Sequence, residues 1–474
     1  MRLFFFLSIP LFVACQSAEH PALSNNDVFQ TCSSLAREFR HRVNREEAAN
    51  AAFIAMDAAP FLHGSRFYDA LAHDVRNDFQ AQELLSAMAR LGDAIRRSEN
   101  DSLSNPASTE TLNRLSQCSF TLSNGIGQED TRLSLIEHLK ASPVVRDHYI
   151  SSAQWLGFLP LLRPFLQWRI AVLHEEEKAL FSAEEHFVAS NSYALTESNT
   201  TNRDIPDFNQ AYQDSPLAVP NFSETELRSL FETFAPRLSI EFQGEQDRLG
   251  TPRFDNGKSI IDTSTVSAYY LPSFTRFGGK NLLQLNYIFW FPSREPRNLI
   301  DLYSGEVDSL IWRVTFDDRG DVLLYDSIHS CGCYHKYFLA SDNVAIKSHA
   351  TSREPANIFD VSQLTHDSGL KITVSSNEHY IVGVDNEPVA QFQPYQLAPY
   401  SNLYKLESAA GRRSFFDDDG IIRGSERLER LTLWPTGIAN VGAMRQWGTH
   451  ATGFIARQHF DDAYLFDKYF SLED

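Results

Sequence analysis

The hydrophobic pattern of the chain changes near residue 190, and this change constrains the fold more than any other feature. Before it, apolar residues recur at helical spacing, whereas after about Phe231 runs rich in β-branched and aromatic residues follow one another. The pattern predicts an α+β protein with an N-terminal all-helical domain over 27–190 and a mainly antiparallel β domain over 231–474. The range 191–230 is predicted to be a linker, and the β domain to be a sandwich or a partly closed barrel.

Three stretches of the helical half carry specific predictions. The range 79–97 repeats apolar residues at helical spacing, and 45–56 is rich in good helix formers, so both are predicted to be helical. The range 155–173 is strongly apolar, but Pro160 and Pro164 would break a spanning helix, and its arginines would be costly in lipid. We interpret 155–173 as a kinked helix that is either buried in the domain or lies on a membrane surface.

The densest group of reactive side chains in the β half lies at 326–335, which reads Asp-Ser-Ile-His-Ser-Cys-Gly-Cys-Tyr-His. Two strand-like runs, 308–316 and 321–325, flank a short loop before it, so this group is predicted at the exit of a hairpin strand. The range 282–291 is suited to the centre of a sheet, and 428–434 is predicted to be one more strand.

The spacing of His329, Cys331, Cys333 and His335, each two residues apart, would place all four on one face of an ideal strand. A strand rises about 3.3 Å per residue, so the outer two would lie about 20 Å apart and could not share one ion. Gly332 can adopt backbone angles that other residues avoid. A turn at Gly332 could therefore bring the two cysteines together.

Four interpretations of this cluster are open. The sulfurs and one or two imidazoles could hold zinc or copper, or the two cysteines could form a strained, easily reduced disulfide. Alternatively, Cys333 could be a nucleophile, with His329 or His335 as its base and Asp326 orienting that base. In the last interpretation, the histidines and cysteines have ordinary structural roles.

A second source of ligands lies near the C-terminus, in His450, His459, Asp461 and Asp462. We expect this segment to meet the cysteine cluster in one pocket of the β domain. The predicted metal ligands are then His329, Cys331, Cys333, His335, His450 and His459. The candidate catalytic residues are Asp326, His329 and Cys333.

The first residues resemble a bacterial lipoprotein signal, with one positive charge, a short apolar run and a small residue before Cys15. Phe12 stands where such signals usually have Leu. The resemblance implies that 1–14 is a removed signal peptide, that Cys15 carries lipid, including palmitate, and that 15–26 is a polar tether. Because Gln16 is not the Asp that often retains such proteins at the inner membrane, it also implies an anchor in the outer membrane, facing the periplasm.

An envelope location would permit disulfides. Four cysteines follow Cys15, and the bridge Cys32–Cys118 belongs to one of three possible connectivities. Both residues lie in helical surroundings, so we expect a structural bridge between them. The formal net charge of −19 opposes binding to the phosphates of nucleic acids.

The β half also resembles a family of uncharacterised proteobacterial lipoproteins. The stretches that carry this resemblance are 275–279, 282–287, 312–315, 326–335 and 442–462. It implies a location and an architecture but no activity. The sequence contains no G-x-S-x-G elbow, H-E-x-x-H motif, P-loop or dinucleotide fingerprint.

These features lead to three functional hypotheses. The first is an outer-membrane lipoprotein whose Cys/His site binds a metal ion and hydrolyses an envelope substrate. The second is a non-enzymatic envelope protein that binds a protein or lipid partner and has a structural disulfide between Cys331 and Cys333. The third is a Cys–His hydrolase that acts on an envelope substrate.

Overall fold

The computed structural model describes residues 27–125, 129–142, 144–181, 189–196, 205–348, 354–409 and 411–473. The predicted signal peptide, the lipid attachment site at Cys15 and the tether lie outside these residues. The described α-helices are α1 (Asp27–Arg45), α2 (Arg66–Ala72), α3 (Asp78–Asp101), α4 (Thr109–Gly125), α5 (Glu129–Ala141), α6 (Ser151–Leu156), α7 (Leu159–Phe181), α8 (Phe208–Gln213), α9 (Glu224–Thr233) and α10 (Arg430–Leu433).

The strands fall into one large sheet and several short hairpins. They are β1 (Ala55–Met56), β2 (Ala59–His63), β3 (Ser190–Leu195), β4 (Arg237–Glu241), β5 (Thr251–Asp255), β6 (Lys258–Asp262), β7 (Ser267–Phe277), β8 (Lys280–Arg294), β9 (Gly305–Phe316), β10 (Val322–His329), β11 (Lys336–Leu339), β12 (Val344–Ile346), β13 (Asn357–Asp360), β14 (Lys371–Val374), β15 (Ile381–Asp385), β16 (Gln393–Pro399), β17 (Leu406–Ser408), β18 (Gly411–Arg413) and β19 (Phe470–Leu472).

The N-terminal helices pack around α3, which confirms the helix predicted over 79–97. A disulfide joins Cys32 of α1 to Cys118 of α4, with their Cα atoms 5.5 Å apart, and confirms the predicted bridge. The prediction of a helix over 45–56 is wrong, because α1 ends at Arg45 and the chain continues into the β1–β2 hairpin. Met56 is fully buried in this core, so tertiary packing overrides the local helix propensity.

The large sheet has eleven strands in the order β13-β11-β10-β9-β8-β7-β16-β3-β4-β14-β15. Strands β7 to β11 form an antiparallel meander, whereas β16 pairs in parallel with both β7 and β3, and β4 pairs in parallel with β14. The sheet curls into a half-barrel. The predicted α+β class is therefore confirmed, with a mixed sheet in place of a mainly antiparallel one.

Strand β8 is buried on both faces, which explains its nearly continuous apolar sequence. Tyr287 and Phe289 point into the core on one face of the sheet, where the ring of Phe231 from α9 lies 5.3 Å from that of Tyr287. Ile288 and Trp290 point to the opposite face, which the C-terminal segment covers. The sheet thus separates two apolar cores.

Two further predictions differ from the structure. Strand β3 and helices α8 and α9 lie in or at the ends of the range predicted as a linker, 191–230. The strand predicted over 428–434 is wrong, because this range forms α10 and the start of a 3-10 turn, Trp434–Thr436. Leu428 and Leu431 are three residues apart, and both are exposed on this short helical segment.

The apolar range 155–173 forms α6 and α7, which meet at a sharp bend. The bend lies at Phe158, whose φ is +50°, and not at either proline. Pro160 sits in the first turn of α7, where a backbone N–H has no acceptor within the helix, and Pro164 lies inside the helix. The kink is confirmed at a different position from the one that the prolines suggested.

Candidate functional site

The Cys-Gly-Cys segment forms a tight turn between β10 and β11. The amide of Gly332 donates to the His329 carbonyl at 2.8 Å, and the His329 amide donates to the Cys333 carbonyl at 3.1 Å. Gly332 has φ +87°, and a Cβ there would lie 2.5 Å from the Ala451 carbonyl oxygen. The turn therefore needs glycine both for its backbone angles and for its contact with the C-terminal segment.

The two cysteines are buried and lie against each other. The Cys333 amide is 3.4 Å from the Cys331 sulfur, and the Cys333 thiol is hydrogen-bonded to Cys331. This hydrogen bond and burial both raise the pKa of the Cys333 thiol. Two charged groups also act on the pKa of Cys333: the Glu429 carboxyl raises it, and the fully buried guanidinium of Arg445 lowers it. The backbone amide of Arg445 donates to the Ser330 carbonyl at 2.8 Å.

His335 belongs to a second network, centred on Asp326. Arg313 binds Asp326 with two nitrogens, at 2.8 and 2.6 Å, and His335 Nε2 lies 2.8 Å from the same carboxylate. Burial raises the pKa of Asp326, but Arg313 and His335 more than offset this and hold it below its ordinary value. His335 Nδ1 contacts the Tyr337 hydroxyl at 3.3 Å, so both ring nitrogens already have protein partners.

His329 lies in a third network, beside Asp308 rather than Asp326. Its Nδ1 is 3.7 Å from Asp308, its Nε2 contacts the His379 carbonyl at 3.2 Å, and burial lowers its pKa to about 3. His379 in turn lies 2.8 Å from Asp308 and 3.7 Å from Asp247. Burial lowers the pKa of His379, but the two carboxylates raise it above its ordinary value overall.

The sequence did not predict this third network. In the structure, the network is marked by unusual backbone angles. Val307, Tyr334, Asn377 and His379 all have positive φ values, between +54° and +64°. Non-glycine residues adopt such angles only where the surrounding structure imposes them. A charged residue such as Asp308 at the start of a strongly apolar strand was the sequence signal that could have revealed it.

The C-terminal segment does meet the cysteine turn, but its histidines point elsewhere. His459 lies 3.6 Å from Asp462 and 3.9 Å from Asp147, and its ring is 5.9 Å from that of His148. His450 is fully buried, and neither of its ring nitrogens has a hydrogen-bond partner in the described part of the chain. Asp461 is 3.2 Å from Arg66 Nε.

The predicted metal ligands are thus divided among separate networks. Within the described ranges, no group of three or more His, Cys, Asp or Glu side chains is arranged to hold a metal ion. The predicted catalytic set is also divided, because Asp326 orients His335, whereas His329 lies beside Asp308. Chemically, these networks neutralise buried charges and fix the end of the sheet.

Helices α6 and α7 present an exposed apolar surface. Trp155, Leu161 and Trp168 expose 79%, 78% and 58% of their area. Leu431 and Trp434 line a groove with Ile150 beside α6. We call this surface the aromatic face and define it by the exposed residues Ile150, Trp155, Leu156, Phe158, Leu161, Leu162, Phe165, Trp168, Leu431 and Trp434.

The aromatic face corrects one interpretation of 155–173, namely that it is buried in the domain. Only Leu159 and Glu177 of α7 are buried. Among the described helices, none has the combination of length and apolar character needed to cross a membrane. The other interpretation of 155–173, a helix that lies on a membrane surface, stays a prediction.

Comparisons with family models, with curated proteins and with solved structures give no match for this chain. Its function is therefore inferred from the geometry of the described residues. The aromatic face and the buried Cys/His networks are the two features that bear on it.

Proposed function

We propose that this protein is a lipid-anchored envelope protein that lies on a membrane surface through its aromatic face. The observation that carries the proposal is the outward orientation of the apolar side chains of α6 and α7. Soluble proteins rarely leave a contiguous apolar surface of this kind uncovered. The role is non-enzymatic, and the membrane concerned is the outer membrane, on its periplasmic side.

The composition of the aromatic face fits a lipid interface. Tryptophan is amphipathic and favours the headgroup level, and full burial of a Trp, Phe or Leu side chain contributes about 1.5–3 kcal/mol. Arg163 and Arg169 lie on the same helix, and the guanidinium of Arg169 is 5.8 Å from the ring of Trp168. Cations among apolar residues favour anionic lipid, although the chain as a whole carries −19.

The aromatic face is held rigidly enough to act as a docking surface. Gln154 of α6 donates to the Thr436 carbonyl at 2.8 Å, which ties α6 to the segment that carries Trp434. At the other end of α7, Glu177 is bound to Lys336 of β11 at 3.2 Å. The apolar side chains between these two points are therefore presented by a fixed helix pair.

The predicted anchor is compatible with this orientation. Eleven residues, 16–26, lie between the proposed lipid attachment at Cys15 and Asp27, the first residue of α1. An extended segment of this length spans about 40 Å, which is comparable with the diameter of a domain. A tether of this length would let the domain approach the membrane that holds the lipid.

The buried networks support a structural role for the histidines of the cluster. The two nitrogens of His335 contact Asp326 and Tyr337, and His329 is enclosed between Asp308 and the His379 carbonyl. Elemental analysis of the purified protein tests this role against the metal hypothesis. Stoichiometric zinc or copper that is lost on replacing His335 would favour a metal site instead.

The membrane proposal is tested by vesicle co-sedimentation. The full chain carrying Cys15→Ser, which removes lipid attachment, is mixed with vesicles of phosphatidylethanolamine and phosphatidylglycerol. We expect binding, and we expect the variant Phe165→Ser/Trp168→Ser to bind at least about tenfold more weakly, because two interfacial side chains are lost. Equal binding by this variant, or no binding by the parent, would refute the proposal.

The matched control is an exposed aromatic residue that lies outside the aromatic face. Phe79 in α3 is 75% exposed but outside the aromatic face, so Phe79→Ser should leave vesicle binding unchanged. Thermal unfolding of each variant confirms that the fold is retained. Self-association through the aromatic face, measured by light scattering and abolished by Phe165→Ser/Trp168→Ser without vesicle binding, would identify a protein partner in place of lipid.

A further inference from the structure

The sulfur atoms of Cys331 and Cys333 lie in contact across a turn whose backbone is fixed. The Cys333 amide donates to the Cys331 sulfur at 3.4 Å, and both side chains are buried. Gly332 is wedged against Ala451, so the turn cannot relax without moving the C-terminal segment. Two sulfurs held in this way need little further movement to form a bond.

The buried guanidinium of Arg445 acts on this pair, as does the Glu429 carboxyl on Cys333, and within the described ranges Arg445 makes no ion pair. The Nη2 atom of Arg445 donates to the carbonyls of Ala439 and Asn440, and its Nε atom has no partner among the described residues. Burial lowers the pKa of Arg445, and Cys331 and Cys333 act in the opposite direction. A buried cation beside a sulfur stabilises the thiolate that forms when a disulfide opens or closes.

We propose that Cys331 and Cys333 form a reversible disulfide in which Cys331 is the attacking sulfur and Cys333 the resolving one. The assignment follows from the Cys333 amide, which points at the Cys331 sulfur from 3.4 Å and can donate to the negative charge that this sulfur carries when it attacks. Arg445 is the positioning residue for this pair. This inference is independent of membrane docking, because the turn lies in the sheet and not on α6 or α7.

The chemistry is a thiol–disulfide exchange with an external disulfide, such as glutathione disulfide or the disulfide of an oxidoreductase. The Cys331 thiolate attacks one sulfur of the donor, forms a mixed disulfide and releases the first donor thiolate. The Cys333 sulfur, after losing its proton, attacks Cys331 and releases the second. The pair loses two electrons and two protons, and the donor disulfide gains them as two thiols.

The test uses the full chain equilibrated in glutathione buffers of graded ratio, then unfolded in acid, alkylated and digested for mass spectrometry. We expect a peptide with a Cys331–Cys333 bond that has lost two hydrogen atoms, and a reversible transition between its reduced and oxidised forms. Two alkylated thiols at every ratio, or a stoichiometric metal ion that blocks both sulfurs, would overturn the proposal.

Variants separate this pair from the helical disulfide and test the role of the cation. Cys32→Ser/Cys118→Ser should leave the transition of Cys331 and Cys333 in place, whereas Cys333→Ser should abolish it. Arg445→Gln should lower the equilibrium constant for reduction by at least about tenfold, and Arg445→Lys should largely restore it. If Arg445→Gln and Arg445→Lys gave the same equilibrium constant for reduction, Arg445 would not be a positioning residue.

Discussion

Lys336 and Glu177 form a buried ion pair, with Nζ and Oε1 3.2 Å apart, that fastens α7 to the large sheet. Asn357 donates to the other oxygen of Glu177 at 2.6 Å, and Lys336 donates to the Ile381 carbonyl at 3.0 Å. Each side chain of the pair is only 2% exposed. Since neither charge can reach water, the two depend on each other far more than a surface pair would.

Breaking this pair should be more harmful than replacing it. Lys336→Met leaves the Glu177 carboxylate buried without its cation and should lower the free energy of unfolding by about 3–5 kcal/mol. The double variant Glu177→Leu/Lys336→Met should lose clearly less, because it leaves no unpaired charge. Urea unfolding of Lys336→Met, Glu177→Leu and the double variant gives the coupling energy between the two side chains. If the losses of the single variants simply added in the double variant, the two side chains would not be coupled.

The network around Asp326 gives a second stability prediction. Asp326→Ala leaves the buried guanidinium of Arg313 without its bidentate partner and should cost about 3–5 kcal/mol. His335→Phe should cost less, because Arg313 and Asp326 still satisfy each other. Chemical unfolding measures both variants, and a larger loss for His335→Phe than for Asp326→Ala would show that the imidazole carries the network.

Glu429 should make stability depend on pH. Burial raises its pKa from 4.5 to about 7, so the folded state binds more protons than the unfolded state between these values. The contribution of Glu429 to stability therefore falls as the pH rises from about 4.5 to 7. Glu429→Gln should be roughly 1–3 kcal/mol more stable than the parent at pH 8 and similar to it near pH 4.5, as measured by unfolding at both pH values.

The disulfide of the helical half should be a major source of stability. Cys32 and Cys118 are 86 residues apart, so their bond closes a long loop in the unfolded chain. Cys32→Ala/Cys118→Ala should lower the free energy of unfolding by about 4 kcal/mol in the chain-entropy picture. The same comparison under reducing conditions is the control, because the parent should then unfold like the variant.

The elements that the sequence predicted well are those with a strong periodic signal. Helix α3 has apolar residues at helical spacing, and β8 has a long apolar run, so each could be recognised from its own residues. The range 45–56 failed because buried packing of Met56 overrides helix propensity. The range 155–173 was harder still, since hydrophobicity shows how apolar a helix is and not what covers it.

The candidate site was predicted less completely than the fold. The turn at Gly332 and its meeting with the C-terminal segment could be expected, because glycine and the neighbouring cysteines mark it. The partners of the histidines could not, since Asp308, Asp247 and His379 are distant in sequence and meet only through the register of the sheet. Arg445 was missed for the same reason.

The position of β16 has a consequence for how the molecule assembles. Among the described strands, it alone connects the meander that contains β7 to the strands that contain β3 and β4, and it pairs Gln393 with Tyr193 and Gln396 with Ser267. During synthesis, the strands that pair with β16 keep unpaired edges until residues 393–399 have emerged. A protein truncated before this point would hold two incomplete sheets prone to aggregate, and slow, late closure is expected of the intact chain.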